Sequence, residues 1–93
     1  MKKITYDPAK PAAAPRERAV DFDKAAEVFG GPTFDYQDDR FDYGETRMIT
    51  VGRLGARMVI VVWTLRGDAR HIISMRKANA REQTRFGRRL GEA

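Results

Sequence analysis

The sequence contains no cysteine and only one histidine, His71. The lack of cysteine excludes disulfides, thiolate nucleophiles, zinc–thiolate sites and iron–sulfur clusters. One histidine is too few for a histidine-rich metal site. We therefore expect no cofactor and no metal. A small domain without disulfides is typical of the reducing cytoplasm, where we expect this protein to act.

Long apolar runs are also missing, because the longest one, residues 58–63, has only the length of a strand. Asp7 and Pro8 interrupt the chain soon after Lys2 and Lys3, so we expect no signal peptide and no contact with a membrane. Motifs for binding nucleotides, for zinc proteases and for serine hydrolases are absent. The 93 residues have the length of one domain, and we expect residues 1–93 to form it.

Positive charge is concentrated in the second half of the chain. Residues 1–46 contain seven Lys and Arg against ten Asp and Glu, whereas residues 47–93 contain eleven against three. Of the 18 basic residues, 13 are arginine, whose guanidinium can bind a phosphate through two hydrogen bonds. This pattern fits a polyanion or an acidic protein as the partner, and a solvated charged surface fits it equally well.

The first half of the chain predicts two short strands, at residues 3–6 and 33–36, and two helical segments between them. Residues 9–19 should be irregular or kinked, because Pro11 and Pro15 lack a backbone N–H and a proline inside a helix costs about 3 kcal/mol. Asp21 can cap a helix over residues 22–29, which Gly30-Gly31-Pro32 ends. Residues 33–36 are typical of a short strand and residues 37–44 of a loop.

The second half predicts three strands and a final helix. The strands cover residues 45–54, 57–65 and 69–77, with tight turns at Gly55 and Gly67, and the middle strand should be buried on both faces. Asn79 and Glu82 have the spacing of a capping box. The predicted fold is therefore α+β, in the order β-α-α-β-β-β-β-α, with a curved antiparallel sheet and helices packed on one face.

The residue types that remain suit the cleavage of RNA. RNA carries its own nucleophile, the 2′-hydroxyl, so the protein need supply only a general base, cations for the phosphorane and a general acid. No metal is required. The products are a 2′,3′-cyclic phosphate or 3′-phosphate and a 5′-hydroxyl.

Arginines are the first candidates for phosphate binding. Arg47, Arg70 and Arg76 occupy similar strand positions and could converge on one phosphate, although a salt-bridged sheet face explains them equally well. Arg81 and Arg85 of the last helix are candidates for further RNA contacts.

Candidate acids and bases are fewer. Glu45 and Glu82 could act as the base, but the capping box alone would explain Glu82. His71 could be an acid or base, although strict alternation sets it opposite Arg70 and Arg76 and favours a structural or partner-facing role. Lys10 is a candidate auxiliary cation or acid, with a solvated lysine as the alternative, and Trp63 is expected in the core.

Four segments in this order resemble the BrnT family of toxin–antitoxin ribonucleases. They are residues 6–10 (Tyr-Asp-Pro-Ala-Lys), residues 20–29 (Val-Asp-Phe, then Ala-Ala-Glu-Val-Phe), residues 45–52 (Glu-Thr-Arg, then Ile-Thr-Val-Gly) and residues 72–78 (Ile-Ile-Ser-Met-Arg-Lys-Ala), followed by Glu82. The resemblance extends from about residue 4 to residue 86, which is nearly the whole chain.

The resemblance implies a RelE-like fold and a ribonuclease that blocks translation. It also implies a cognate BrnA-like antitoxin that carries a ribbon-helix-helix DNA-binding domain. The pair would form a heterotetramer that represses its own operon, so the toxin would reach operator DNA only through the antitoxin. Within this frame we expect Arg47 and Arg76 to bind the phosphate, Glu45 or Glu82 to act as base, and Lys10 to assist.

Two departures from the family pattern favour an alternative. Family members usually end their first helix in Lys-His-Gly-Val, whereas Arg18 and Ala19 stand at or beside the histidine and glycine positions here. Phe86, which lacks a hydroxyl, replaces the usual tyrosine. If catalysis needs that histidine or tyrosine, the chain is a catalytically degenerate co-repressor that binds its antitoxin. A plain RNA-binding module is a third possibility.

Overall fold

The computed structural model describes residues 3–6, 24–40, 42 and 44–90. Its elements are β1 (Lys3–Tyr6), α1 (Ala25–Phe29), β2 (Phe34–Asp38), β3 (Arg47–Leu54), β4 (Arg57–Arg66), β5 (Ala69–Lys77), α2 (Ala80–Phe86) and a 3-10 turn (Gly87–Leu90). The irregular segment expected over 9–19 lies outside the described residues. None of the described helices is long and apolar enough to cross a membrane.

The five strands form one mixed sheet in the order β1-β5-β4-β3-β2. Strands β2 to β5 are antiparallel neighbours, but β1 runs parallel to β5, so the expected all-antiparallel sheet is wrong. Tight turns fix the direction only of the strands they join, whereas β1 lies beside a strand that is distant in sequence. A long connection of this kind permits parallel pairing.

The sheet has a hydrophobic cluster on each face, as the apolar run of β4 requires. On one face, here the α1 face, α1 packs on Val59, Val61 and Trp63 of β4. On the opposite face, here the α2 face, Phe86 of α2 and Leu90 pack with Met58, Ile60 and residues of β3. The expectation of helices on a single face is therefore wrong, because a strand buried on both faces needs cover on both.

Gly52 of β3 allows α1 to approach the sheet closely. A Cβ atom at this position would lie 2.6 Å from Cγ1 of Val28, which is far inside van der Waals contact. Val28 is fully buried, so the absence of a side chain at Gly52 determines how closely α1 packs.

Strand β5 contains a β-bulge that reverses the facing of its side chains. Val62 pairs with Ser74 while the next residue, Trp63, pairs with Ile72, so Ile73 has no partner on β4. One extra residue moves every later side chain to the other face. Ile72 and Met75 consequently belong to the same buried cluster although three positions separate them.

Candidate functional site

Polar side chains form a row across the α2 face, beyond the cluster on which α2 packs. One position on each of the five strands contributes to it, in the register Asp38, Arg47, Thr64, His71 and Thr5. The polar row is held by hydrogen bonds at two points. Thr5 Oγ1 and His71 Nδ1 lie 2.9 Å apart, and the Thr64 hydroxyl donates to the Thr46 carbonyl at 2.6 Å.

Glu45 lies beside Arg47 at one end of the polar row. Its carboxylate lies 3.7 Å from Arg47 Nε and 4.0 Å from Arg66 Nη2. Within the described residues the Glu45 side chain makes no closer polar contact, and one third of it is exposed. Arg47 and Glu45 thus place a cation and an accessible carboxylate next to each other.

Arg76 and Glu82 form a second, tighter pair on the same face. Arg76 Nη1 and Nη2 each donate to one Glu82 oxygen at 2.7 Å. The hydrogen bonds that Arg76 donates to Glu82, together with the negative charge of that carboxylate, raise the pKa of Arg76 above its usual value. The Asn79 backbone N–H also donates to Glu82 at 2.9 Å, so the expected capping box is confirmed. Glu82 therefore has little free capacity to accept a proton.

Tyr36 and Arg40 are further components that the sequence did not single out. Both lie near enough to Arg76 to affect its pKa, the tyrosine raising it and the second cation lowering it. Arg40 donates to both oxygens of Asp38, at 2.8 and 3.0 Å. Asp38 is buried while Arg40 is largely exposed. A buried carboxylate therefore holds an exposed cation at the edge of this face.

Arg47 and Arg76 share the α2 face but do not converge on one point. Thr64 is the β4 partner of Arg47, and Ile60 is the β4 partner of Arg76. Four residues along a strand and two strand spacings across it separate their Cα atoms by about 16 Å. The two arginines can therefore bind different phosphates of one strand.

Arg70 lies on the α1 face, so the expected convergence of all three arginines is wrong. Because of the β-bulge at Ile73, Arg70 and Arg76 lie on opposite faces of the sheet. The Arg70 guanidinium lies 4.0 Å from the centre of the Phe29 ring and 5.1 Å from that of Trp63. Its contacts are those of a residue that packs α1 on the sheet.

The same β-bulge overturns the expectation that His71 lies opposite Arg76. His71 pairs with Thr64 and therefore faces the α2 side together with Arg47 and Arg76. The doubled isoleucine at 72–73 breaks strict alternation and is the one sequence signal that could have indicated this. Trp63 lies in the core as expected, 7 % exposed, and donates to Thr50 Oγ1 at 2.7 Å.

Arg81 and Arg85 are exposed on α2, and the Arg85 guanidinium lies 5.3 Å from the centre of the Phe86 ring. Lys10 lies outside the described residues. Among the residues that are described, no group of His, Cys, Asp and Glu could hold a metal ion.

Comparison with known proteins identifies the family. The sequence model of a family described as ribonuclease toxin, BrnT, of type II toxin-antitoxin system matches residues 6–82. No curated protein and no solved structure shows significant similarity to the chain. The match covers most of the chain, from the last residue of β1 to the first turn of α2. It includes four of the five residues of the polar row, Asp38, Arg47, Thr64 and His71, and leaves out Thr5. The chain belongs to the BrnT family of ribonuclease toxins of type II toxin–antitoxin systems.

Proposed function

We propose that the chain cleaves RNA without a metal, at a site along the polar row of the α2 face. One observation carries the assignment: in a chain of a ribonuclease toxin family, Arg47, Glu45 and His71 lie at one end of the same sheet face. These three supply a cation, a carboxylate and an imidazole, which is the full set that cleavage by the 2′-hydroxyl needs.

Glu45 is the base in this proposal. It would take the proton of the 2′-hydroxyl, whose oxygen then attacks the adjacent phosphorus as the bond to the 5′-oxygen breaks. Arg47 would stabilise the charge that develops on the phosphorane. His71 Nε2 would donate the proton to the leaving 5′-oxygen, since Nδ1 is bonded to Thr5. Lys10 remains a proposed auxiliary cation.

Arg76 is proposed to bind a neighbouring phosphate, with Glu82 as its positioning residue. A bidentate carboxylate fixes the plane of a guanidinium and reduces the entropy lost when it binds phosphate. The exposed arginines Arg81 and Arg85 would extend this contact along α2. Arg70 has no role in this proposal because its side chain lies on the α1 face.

The toxin would inhibit translation and growth until an antitoxin neutralises it. We propose that the partner is BrnA-like and carries a ribbon-helix-helix domain, and that the two proteins form a heterotetramer. The toxin would contact operator DNA only through this partner. We also propose that the fold is RelE-like. Supporting the antitoxin partner, type II toxin–antitoxin families pair a toxin protein with an antitoxin protein. The cytoplasm is the compartment in which such a toxin meets RNA.

A second candidate is the degenerate co-repressor. Phe86 stands where a tyrosine is usual, and its ring is 5 % exposed and stacked on Tyr36. A residue this buried, without a hydroxyl, can support the helix but cannot transfer a proton. If the family chemistry depends on that hydroxyl, binding of the antitoxin would survive without cleavage.

Expression of the chain in a bacterial host, with and without the neighbouring gene, separates the two candidates. Growth arrest with degraded RNA, relieved by the neighbour, supports the ribonuclease. Normal growth with intact RNA, in a chain that folds and binds the neighbour's product, supports the co-repressor.

A further inference from the structure

A cationic pocket lies at the end of the sheet opposite the polar row. It is formed by the β3–β4 turn and the start of α2, has a volume of about 320 Å³, and is lined by Arg53, Arg57, Lys77, Ala78 and Gln83. We infer that this pocket is a second phosphate site, which binds the backbone of the RNA at a distance from the cleavage position. The inference rests on the proposed function and extends it.

Charge defines the ligand class. Three of the lining residues are cationic and none is acidic. In the described part of the chain, neither Arg57 nor Lys77 forms an ion pair with an acidic side chain. Like charges that line one pocket repel each other, and an anion bound between them offsets that repulsion. A phosphodiester group supplies one negative charge and several oxygens that accept hydrogen bonds from guanidinium and ammonium groups.

The position of the pocket favours RNA as the source of that phosphate. Lys77 follows Arg76 directly in β5, so their Cα atoms are about 3.8 Å apart. Lys77 pairs with Val59 and Arg57 with Leu54, so both occupy positions of the α1 face at the ends of their strands. Along β4, the level of the polar row at Thr64 and the pocket at Arg57 are seven residues apart, or roughly 23 Å. Arg76, opposite Ile60, lies between these levels. A single RNA strand of a few nucleotides that leaves the α2 face at Arg76 and passes over the strand ends could contact all three positions in turn.

This site would contribute affinity without contributing chemistry. A contact far from the reacting phosphorus stabilises the bound substrate and the transition state equally, which lowers KM and leaves kcat unchanged. It would also act only on substrates long enough to reach the pocket. Cleavage of a short oligonucleotide would be insensitive to it.

The test uses the full chain with Arg57→Ala, Lys77→Ala and the double variant. Arg88→Ala is the matched control, because Arg88 is also an exposed arginine but does not line the pocket. The probes are 2′-O-methyl oligoribonucleotides of two lengths, which cannot be cleaved: one spans only the polar row and Arg76, and the other extends to the pocket. Affinity is measured by fluorescence anisotropy over a range of salt concentrations, after thermal unfolding has shown that each variant folds.

With the long probe, we expect each pocket variant to bind more weakly and its salt slope to fall by about 0.7 per lost phosphate contact. With the short probe, and with Arg88→Ala at both lengths, binding should match that of the unmodified chain. An equal loss for Arg88→Ala, or no loss with the long probe, would overturn the inference. Loss of antitoxin binding instead of RNA binding would overturn it as well, in favour of an acidic protein partner.

Failure of the proposed cleavage would be recognised separately. If no RNA is cleaved but the length-dependent loss of binding is observed, the pocket binds RNA phosphate and only the chemistry is wrong. If RNA is cleaved and the pocket variants behave like the unmodified chain at both lengths, the pocket is not a phosphate site.

Discussion

The carboxylate of Glu82 accepts hydrogen bonds both from Arg76 and from the N-cap residue of helix α2. One of its oxygens accepts from Arg76 Nη1 at 2.7 Å and from the Asn79 backbone N–H at 2.9 Å, while Asn79 accepts from the Glu82 N–H at 2.9 Å. The orientation of the arginine on β5 is thereby tied to the first turn of α2. A change at Glu82 should affect helix stability and arginine position together.

Substitutions at Glu82 can separate these effects from a role as the base. Glutamine preserves the capping box, so Glu82→Gln should fold with little loss of helix stability and keep kcat within about 10-fold of the unmodified chain, since it removes no reacting group. Glu82→Ala should lower the free energy of unfolding by about 1 kcal/mol through the lost cap, measured by urea denaturation. Loss of kcat in a well-folded Glu82→Gln variant would make Glu82 the base instead.

Arg47 and Arg76, which both lie on the α2 face, should differ in their effects on kinetics. Arg47→Ala should reduce kcat by about 100-fold, because a cation at the phosphorane acts in the transition state. Arg76→Ala should mainly raise KM, because it binds a flanking phosphate. Steady-state cleavage of a fluorogenic RNA measures both. The opposite pattern, with kcat lost only in Arg76→Ala, would move the scissile phosphate to Arg76.

Arg70 offers a control within the same strand. Arg70→Ala should leave kcat and KM unchanged, since the side chain lies on the α1 face against Phe29 and Trp63. Loss of the cation–π contacts should cost about 1 kcal/mol of unfolding free energy, seen in urea denaturation. If Arg70→Ala impaired cleavage without loss of stability, the facing assigned to β5 would be wrong.

Packing of α1 is tested by a pair of glycine substitutions. Gly52→Ala should destabilise the chain by roughly 1–3 kcal/mol, because its Cβ would overlap Val28. The control is Gly31→Ala, whose Cβ would have no neighbour nearer than 4.0 Å and should be neutral or slightly stabilising. Thermal unfolding compares the two. Equal melting temperatures would mean that α1 does not pack on β3 as described.

Much of the fold could be predicted from local sequence signals. Three predictions depend only on residues that are close in sequence: the burial of the apolar run in β4, the tight turns at Gly55 and Gly67, and the capping box at Asn79. The structure confirms all three. The parallel pairing of β1 and the placement of α1 and α2 on opposite faces could not be predicted in this way. They depend on contacts between segments that are distant in sequence, which periodicity does not encode.

The site was less predictable than the fold. The β-bulge at Ile73 reverses the side-chain facing of β5, so the simple alternation rule placed Arg70 with Arg76 and His71 opposite them. Arg40 lies in a segment whose sequence is typical of a loop, and only its bidentate contact with the buried Asp38 reveals that it is held in place. The sequence shows which residues are charged, but it does not show which face of the sheet each one occupies.

The proposed metal-independent cleavage is tested by incubating a defined RNA with the purified chain in the presence of EDTA, with Glu45→Gln assayed beside it. We expect the unmodified chain to yield a 2′,3′-cyclic phosphate and a 5′-hydroxyl without added metal. A 2′-deoxy substitution at the cleavage position should block the reaction, and Glu45→Gln should lower kcat by at least about 100-fold. Intact RNA with a folded, antitoxin-binding chain, or full activity of Glu45→Gln, would contradict the proposal.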